Sequence, residues 1–241
     1  MNDDYRVFFV VGRVHNSTLT ALLLNESTTY QDIVMGDFYE SFYNNSWKLE
    51  MMFEWSYKHC PHFQYLLKVD DDNFVNMANI FKVIRGLKSK NKVYLGRRLY
   101  ASWTMRHGKY RLNYDEYNVP VLPAFIGGGA VLISYDVVRD MIPYFFLGRD
   151  KPPLKLEDLY TAYLVLNANV RPADNQLFNK HSDGKCGYVD AAMSLHFQRA
   201  ERGRMGACMD EIFLKMKTHR SGDPFVRDHY IGNGLIFLKN K

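Results

Sequence analysis

The sequence predicts an α/β fold, one mostly parallel sheet flanked by helices, on three observations. Short apolar runs that read as strands alternate with longer segments whose apolar residues recur at helical spacing. Strands separated by helices imply a largely parallel sheet. The apolar run over residues 63–69 ends directly in Asp70-Asp71-Asp72, and open α/β sheets bind their ligands at the carboxyl ends of strands. Finally, 241 residues that are 47% hydrophobic supply a sizeable core. No repeat, low-complexity stretch or linker divides them, so one domain is expected over residues 1–241.

The elements follow in order. Val7-Phe8-Phe9-Val10-Val11 reads as a buried strand closed by Gly12. Residues 18–27 read as a helix with Leu19, Leu22 and Leu23 on one face, and Asp32-Ile33-Val34-Met35 as a short strand. Residues 41–59 form a longer helix carrying Phe42, Leu49, Met52 and Phe53. Beyond the acidic triplet, Met77, Ile80, Phe81, Ile84 and Leu87 recur at helical spacing, with Asn76 as N-cap and Gly86 fraying the last turn. Val93-Tyr94-Leu95 is a strand. Residues 99–126, with Pro120 and Pro123, read as a long functional loop or a small excursion. Val131-Leu132-Ile133 is a strand, followed by helices over 135–144 and 156–167. Beyond Arg171 the pattern weakens, and residues 217–241 match no element.

Composition narrows the classes. A net charge of +5 suits an anionic small ligand, but no basic run is dense enough for nucleic acid. No segment approaches the ~20 apolar residues that span a bilayer, and no signal peptide follows Met1. Either the protein is cytosolic or its targeting segment lies outside these residues. Cys60, Cys186 and Cys208 lack metal-ligand spacing, which leaves one disulfide plus a thiol, or three thiols. Sequons at Asn16, Asn25 and Asn44 tilt toward a secretory lumen.

Four constellations can carry chemistry. Three adjacent carboxylates repel unless a cation or donors share the site, and a divalent metal with oxygen ligands answers that strain; an acidic helix-capping loop is the plainer alternative. Gly127-Gly128-Gly129 precede a buried strand, either as a tight turn or as a place where a ligand meets the backbone. Glu157-Asp158 opens a helix, where the dipole alone favours acids; the functional alternative is a general base. His196, between Leu195 and Phe197, is either a core histidine or a ligand.

Their order along the chain resembles the β-1,3-galactosyltransferase and N-acetylglucosaminyltransferase family, inverting glycosyltransferases with a Rossmann-like GT-A fold. The resemblance runs from about Val7 to about Met216. It includes Phe8-Phe9-Val10-Val11-Gly12, Tyr30-Gln31-Asp32-Ile33-Val34-Met35-Gly36-Asp37 and Ser41-Phe42-Tyr43-Asn44-Asn45-Ser46-Trp47-Lys48. Its most specific part is Lys68-Val69-Asp70-Asp71-Asp72-Asn73-Phe74-Val75-Asn76. Tyr94-Leu95-Gly96, Tyr114-Asp115-Glu116-Tyr117, the triple glycine, Glu157-Asp158-Leu159-Tyr160 and Ser194-Leu195-His196-Phe197-Gln198 follow in family order.

The resemblance implies a UDP-sugar donor, a glycan acceptor on glycoprotein or glycolipid, and a manganese or magnesium ion. Asp72 and His196 would hold the metal, which neutralises a departing diphosphate. Asp70 and Asp71 would contact the ribose or the metal's water shell. Asp158 would be the general base for direct inverting displacement. Gly127, Gly128 and Gly129 would let the donor sugar lie against the backbone, and Asp37 and Lys48 would stand near the nucleotide and the metal loop. The resemblance also implies Golgi luminal residence through a membrane anchor and stem that these residues do not contain. It further implies an opening strand before Val7, where only residues 1–6 stand. The sheet is therefore expected to lack its first strand, to expose strand edges and to bind donor less well. Two rivals remain: a catalytically inactive relative serving as a glycan-binding or chaperone module, and a nucleotidyltransferase, which needs further carboxylates for paired metals.

Overall fold

The structure is a computed structural model that describes residues 4–145, 154–181, 191–197, 207–208, 210–212 and 234–239. The elements are β1 (Asp4–Arg13), α1 (Ser17–Tyr30), β2 (Ile33–Tyr39), α2 (Asn45–His59), β3 (Tyr65–Val69), β4 (Asn73–Val75), α3 (Met77–Gly86), β5 (Tyr94–Leu99), β6 (Ser102–Trp103), β7 (Val121–Leu122), β8 (Phe125–Ser134), α4 (Tyr135–Met141), α5 (Glu157–Asn167), β9 (Ala173–Asp174), β10 (Lys180–His181), β11 (Ser194–His196) and β12 (Gly234–Lys239). Single 3-10 turns at Phe42–Asn44 and Ile142–Tyr144 extend α2 and α4.

A seven-stranded sheet has the order β2-β1-β12-β3-β8-β5-β9. Its pairings fix the directions: β1, β2, β3, β5 and β9 run one way, while β8 and β12 run against them. The sheet is thus mostly parallel in strand direction and mixed in its pairings, consistent with an α/β fold of GT-A type. Two small ribbons accompany it, β10-β11-β4 and β6-β7. The second lies within the 99–126 excursion, which also takes in the end of β5 and the start of β8.

The period of two along each strand sorts the core into two layers. Leu66, Val131, Ile133 and Phe237 face α2, α4 and α5, where Leu49, Phe53, Val138, Tyr160 and Leu164 close the packing. Tyr65, Leu67, Ala130, Leu132, Ile236 and Leu238 face the other way, against Met77, Ile80, Phe81 and Ile84 of α3. α3 begins as the sequence predicts, because the Asn76 side chain accepts a hydrogen bond from the Asn79 amide at 3.2 Å. In the first layer, the Tyr160 hydroxyl donates to Glu50 and ties α5 to α2.

Three expectations change. The edges expected to be bare beside the sheet's centre are covered: β12, from the stretch that matched no element, pairs with both β1 and β3. The triple glycine is neither a turn nor a preface to a strand, since β8 already begins at Phe125. The apolar face of α1 is not buried; no residue of that helix is, and Leu22 is 60% exposed. Cys60 is outside any disulfide, and Cys208 is disulfide-bonded. Among the described residues no helix is long and apolar enough to cross a membrane.

Candidate functional site

β3 carries the acidic triplet to the sheet edge where β1, β2 and β5 also end. The Asp70 amide donates to the Gly129 carbonyl at 3.0 Å, and the Asn73 amide donates to the Asp70 carbonyl at 3.2 Å. Asp71 and Asp72 are therefore the central residues of a tight turn. Asp71 is exposed at its tip, while Asp72 is buried.

The chain then enters β4, which pairs antiparallel with β11 and sets His196 opposite Asn73. The Phe197 amide donates to the Asp72 carbonyl at 2.8 Å. This pairing brings the His196 Nε2 to 3.5 Å from the Asp72 Oδ2. The Asn73 Nδ2 donates to the other Asp72 oxygen at 2.8 Å and fixes its direction. One carboxylate oxygen and one imidazole nitrogen at this separation fit a manganese-type cation. Among the described residues no group of three or more His, Cys, Asp or Glu is placed to hold a metal. A cation here would draw its other ligands from water or from substrate phosphates, as hard divalent cations commonly do.

A second centre adjoins the first. Lys68, whose side chain is 13% exposed, places its Nζ 2.5 Å from Asp70 Oδ1, 3.0 Å from the Gly128 carbonyl and 3.4 Å from Glu157 Oε1. Burial alone would lower its ammonium's affinity for the proton, but Asp70, Glu157 and Asp158 outweigh burial and raise it. Asp158, in the first turn of α5, accepts a hydrogen bond from the Gly128 amide at 2.9 Å. Burial, and next the like charge of Glu157, push the Asp158 carboxyl well above the usual carboxylate range; Lys68 works against that rise. A carboxyl raised toward working pH is suited to proton abstraction.

The glycines couple the two centres. A Cβ on Gly128 would strike the Asp158 carboxylate, with Cγ and Oδ2 both at 2.9 Å. A Cβ on Gly129 would meet Asn179 Oδ1 at 2.5 Å and Asn73 Oδ1 at 2.7 Å. Asn179 also donates from Nδ2 to the Gly127 carbonyl at 2.7 Å. Neighbouring residues, ~3.8 Å apart, thus seat the candidate base and the asparagine that orients Asp72. The bare backbone admits side chains of this chain at Gly128 and Gly129; at Gly127 the nearest atom to a Cβ is Leu99 at 3.4 Å, ordinary contact.

Asp70, Asp72, Asp158, His196 and the three glycines meet in one region. Asp37 and Lys48 do not join them. Asp37 pairs with Arg13 and is largely exposed, and Lys48 pairs with Glu40 at 2.7 Å. Asp37 lies on β2, beyond β12 and β1 from β3, although β2 ends at the same sheet edge. Lys68, Asn73 and Asn179 were given no role by the sequence reading. Lys68 had a usable signal: a lysine inside a buried five-residue strand must find a partner. Asn179 had none, since its place depends on a left-handed φ of 49° and on contacts distant in sequence.

The sequence pattern of the family described as Galactosyltransferase matches residues 2–176. The chain is 31% identical over 181 residues to the Homo sapiens UDP-GalNAc:beta-1,3-N-acetylgalactosaminyltransferase 1, covering 71% of this chain and 53% of that protein. It is 28% identical over 195 residues to the Homo sapiens lactosylceramide 1,3-N-acetyl-beta-D-glucosaminyltransferase, covering 78% and 50%. The chain spans about half the length of the curated relatives it matches.

Proposed function

This chain belongs to the galactosyltransferase family, and on that footing we propose that it is a metal-dependent, UDP-sugar-using hexosyltransferase that builds a β-1,3 linkage with inversion. The observation that carries the proposal is the meeting of Asp72 and His196 at 3.5 Å, from distant parts of the chain, beside the Gly128-Gly129 backbone against which Asp158 also sits. A manganese or magnesium ion held by Asp72 and His196 would neutralise the diphosphate as it leaves. Asp70 and Asp71 would face the ribose or the ion's water shell.

Asp158 would accept the proton of an acceptor hydroxyl as that oxygen bonds to the anomeric carbon. The bond from that carbon to the UDP oxygen breaks, UDP takes the electron pair, and the centre inverts in one step. The names of two relatives specify a UDP-GalNAc donor and a lactosylceramide acceptor. The donor class proposed for this chain is accordingly UDP-galactose or a UDP-N-acetylhexosamine, and the acceptor a glycan on lipid or protein. The compartment proposed is the Golgi lumen.

Calorimetric titration of UDP with manganese and then with EDTA tests the site. Binding is expected to need the metal, and Asp72→Ala is expected to weaken metal-linked binding by more than about tenfold. Unchanged affinity in that variant sinks the metal assignment. Loss of all UDP binding in a folded wild-type protein points to the inactive relative instead. UDP release from each candidate donor, with a soluble lactoside as acceptor, then tests transfer.

A further inference from the structure

We propose that Lys68 is the positioning residue of this site: its cation gathers Asp70, Glu157 and the Gly128 carbonyl around one point and favours the proton-accepting form of neighbouring Asp158. The inference deepens the transferase reading and rests on it for the meaning of Asp158, but not for the charge coupling itself.

The geometry sets three acids on one small patch. Asp70 follows β3, while Glu157 and Asp158 open α5, so a strand end and a helix start must meet with like charges facing. Lys68 enters from within β3 and touches both elements, at 2.5 Å to Asp70 and 3.4 Å to Glu157. Its third contact, 3.0 Å to the Gly128 carbonyl, anchors the residue whose amide holds Asp158. One ammonium therefore fixes the base through its neighbour in α5 and through its hydrogen-bond donor in β8. Three donors on a compact head suit this three-way contact.

Among the described residues, the charged and titratable groups that face Asp158 are Glu157 on its own helix, Lys68 and Asp70 from β3 and its turn, and Tyr94 from β5. Lys68 is the one cation among them. Without it, three half-buried carboxyls repel, and the cheapest relief is to protonate one. A protonated Asp158 cannot take a proton from an acceptor. The basis for Lys68 is thus electrostatic as well as steric, which makes the proposal separable from a purely structural role.

The test is a carbon-13 NMR titration of the aspartate carboxyls in the full chain, with Asp158 assigned by the resonance lost in Asp158→Asn. Lys68→Met is expected to raise the Asp158 midpoint by about one to three pH units. Lys68→Arg, which keeps the charge, is expected to stay nearer wild type than Lys68→Met does. A folded Lys68→Met whose Asp158 titrates as in wild type overturns the proposal. If that variant does not fold, the pair Glu157→Gln and Lys68→Met/Glu157→Gln decides, since the double variant has one fewer carboxylate in the cluster. Its midpoint should lie above that of Glu157→Gln, and equal midpoints overturn the proposal. Where transfer is measurable, the acid limb of the pH–rate profile should move with the carboxyl midpoint. Absence of turnover with every UDP-sugar would count against the transferase reading, while the carboxyl titration would still decide the role of Lys68.

Discussion

At the scale of single residues, the clearest constraint is on Gly128. Its missing side chain is the space in which the Asp158 carboxylate sits, and its amide is the donor that holds it. Gly128→Ala is expected to displace Asp158 by roughly the width of a methyl group. A misplacement of about 1 Å can cost ~100-fold in rate, so transfer should fall by that order. Metal-linked UDP binding should survive, because Asp72 and His196 are set by β4 and β11; calorimetry and a transfer assay on one sample check both halves, and normal transfer refutes the assignment. Asp158→Asn should separate the same two properties, leaving UDP binding intact and removing transfer.

The raised Asp158 carboxyl also fixes a pH dependence. The native state holds a proton that the unfolded chain has already released. The contribution of this group to stability is therefore complete below the ordinary carboxylate range and is lost as pH rises through the raised native value. Thermal unfolding across pH should show wild type losing stability over that window and Asp158→Asn losing less. If Asp158 is the base proposed above, transfer is expected to show the opposite trend, falling as pH drops and that carboxylate becomes protonated. Sequence alone brought Asp72, Asp158 and His196 into view, because acids and histidines are few and their order is informative. It gave the glycines to the donor sugar, since nothing in three consecutive glycines says which atoms press against them.

At the scale of elements, α3 was the most legible helix. Its apolar positions keep one period, and Asn76 stands where a cap belongs. Asn76→Ala should cost about 1 kcal/mol, seen as a melting temperature lower by about 2–4 °C. Asn76→Ser should restore most of it, and a neutral Asn76→Ala would show that the side chain does not cap α3. α1 shows the opposite failure. Its leucines have helical spacing, yet the helix rests on the sheet edge with none of its residues buried, and spacing cannot report what a face meets. β8 was read too short because glycine is disfavoured in strands, and here Asp158, Asn73 and Asn179 occupy the space that side chains would fill. β9, β10 and β11 have two or three residues each, too few to display a period. His196 could therefore be suspected as a ligand, but the pairing that delivers it could not be foreseen.

At the scale of the whole molecule, the arrangement turns on β12. Direction and pairing place this strand between β1 and β3, where it runs against both. Alternation of strands and helices predicts β1, β2, β3 and β5, which share a direction, and β8, which runs against them, but it has no means of predicting a reversed strand supplied from far along the chain. β12 links the β1-β2 ribbon to β3, and β3 carries Lys68 and the turn that holds Asp72. Ile236 and Leu238 pack on the α3 layer while Phe237 packs on the α2 layer, against Phe8, Phe63 and Trp55. Both faces of the sheet thus depend on three consecutive side chains. Removing one large buried ring typically costs about 3–5 kcal/mol, a large part of the ~5–15 kcal/mol that separates a folded domain from its unfolded chain. Phe237→Ala should lower the denaturation midpoint by that order with little change in slope. Deletion of residues 234–241 should do more, because β1 and β3 each lose a partner strand and expose unpaired backbone at the centre of the sheet. The expected result is an aggregating or unfolded protein that binds no UDP with or without manganese. A deletion variant that stayed monomeric and cooperatively folded, with metal-linked UDP binding retained, would show that β1 and β3 hold their places without β12 and that the site is built by β3, β4, β8 and β11 alone.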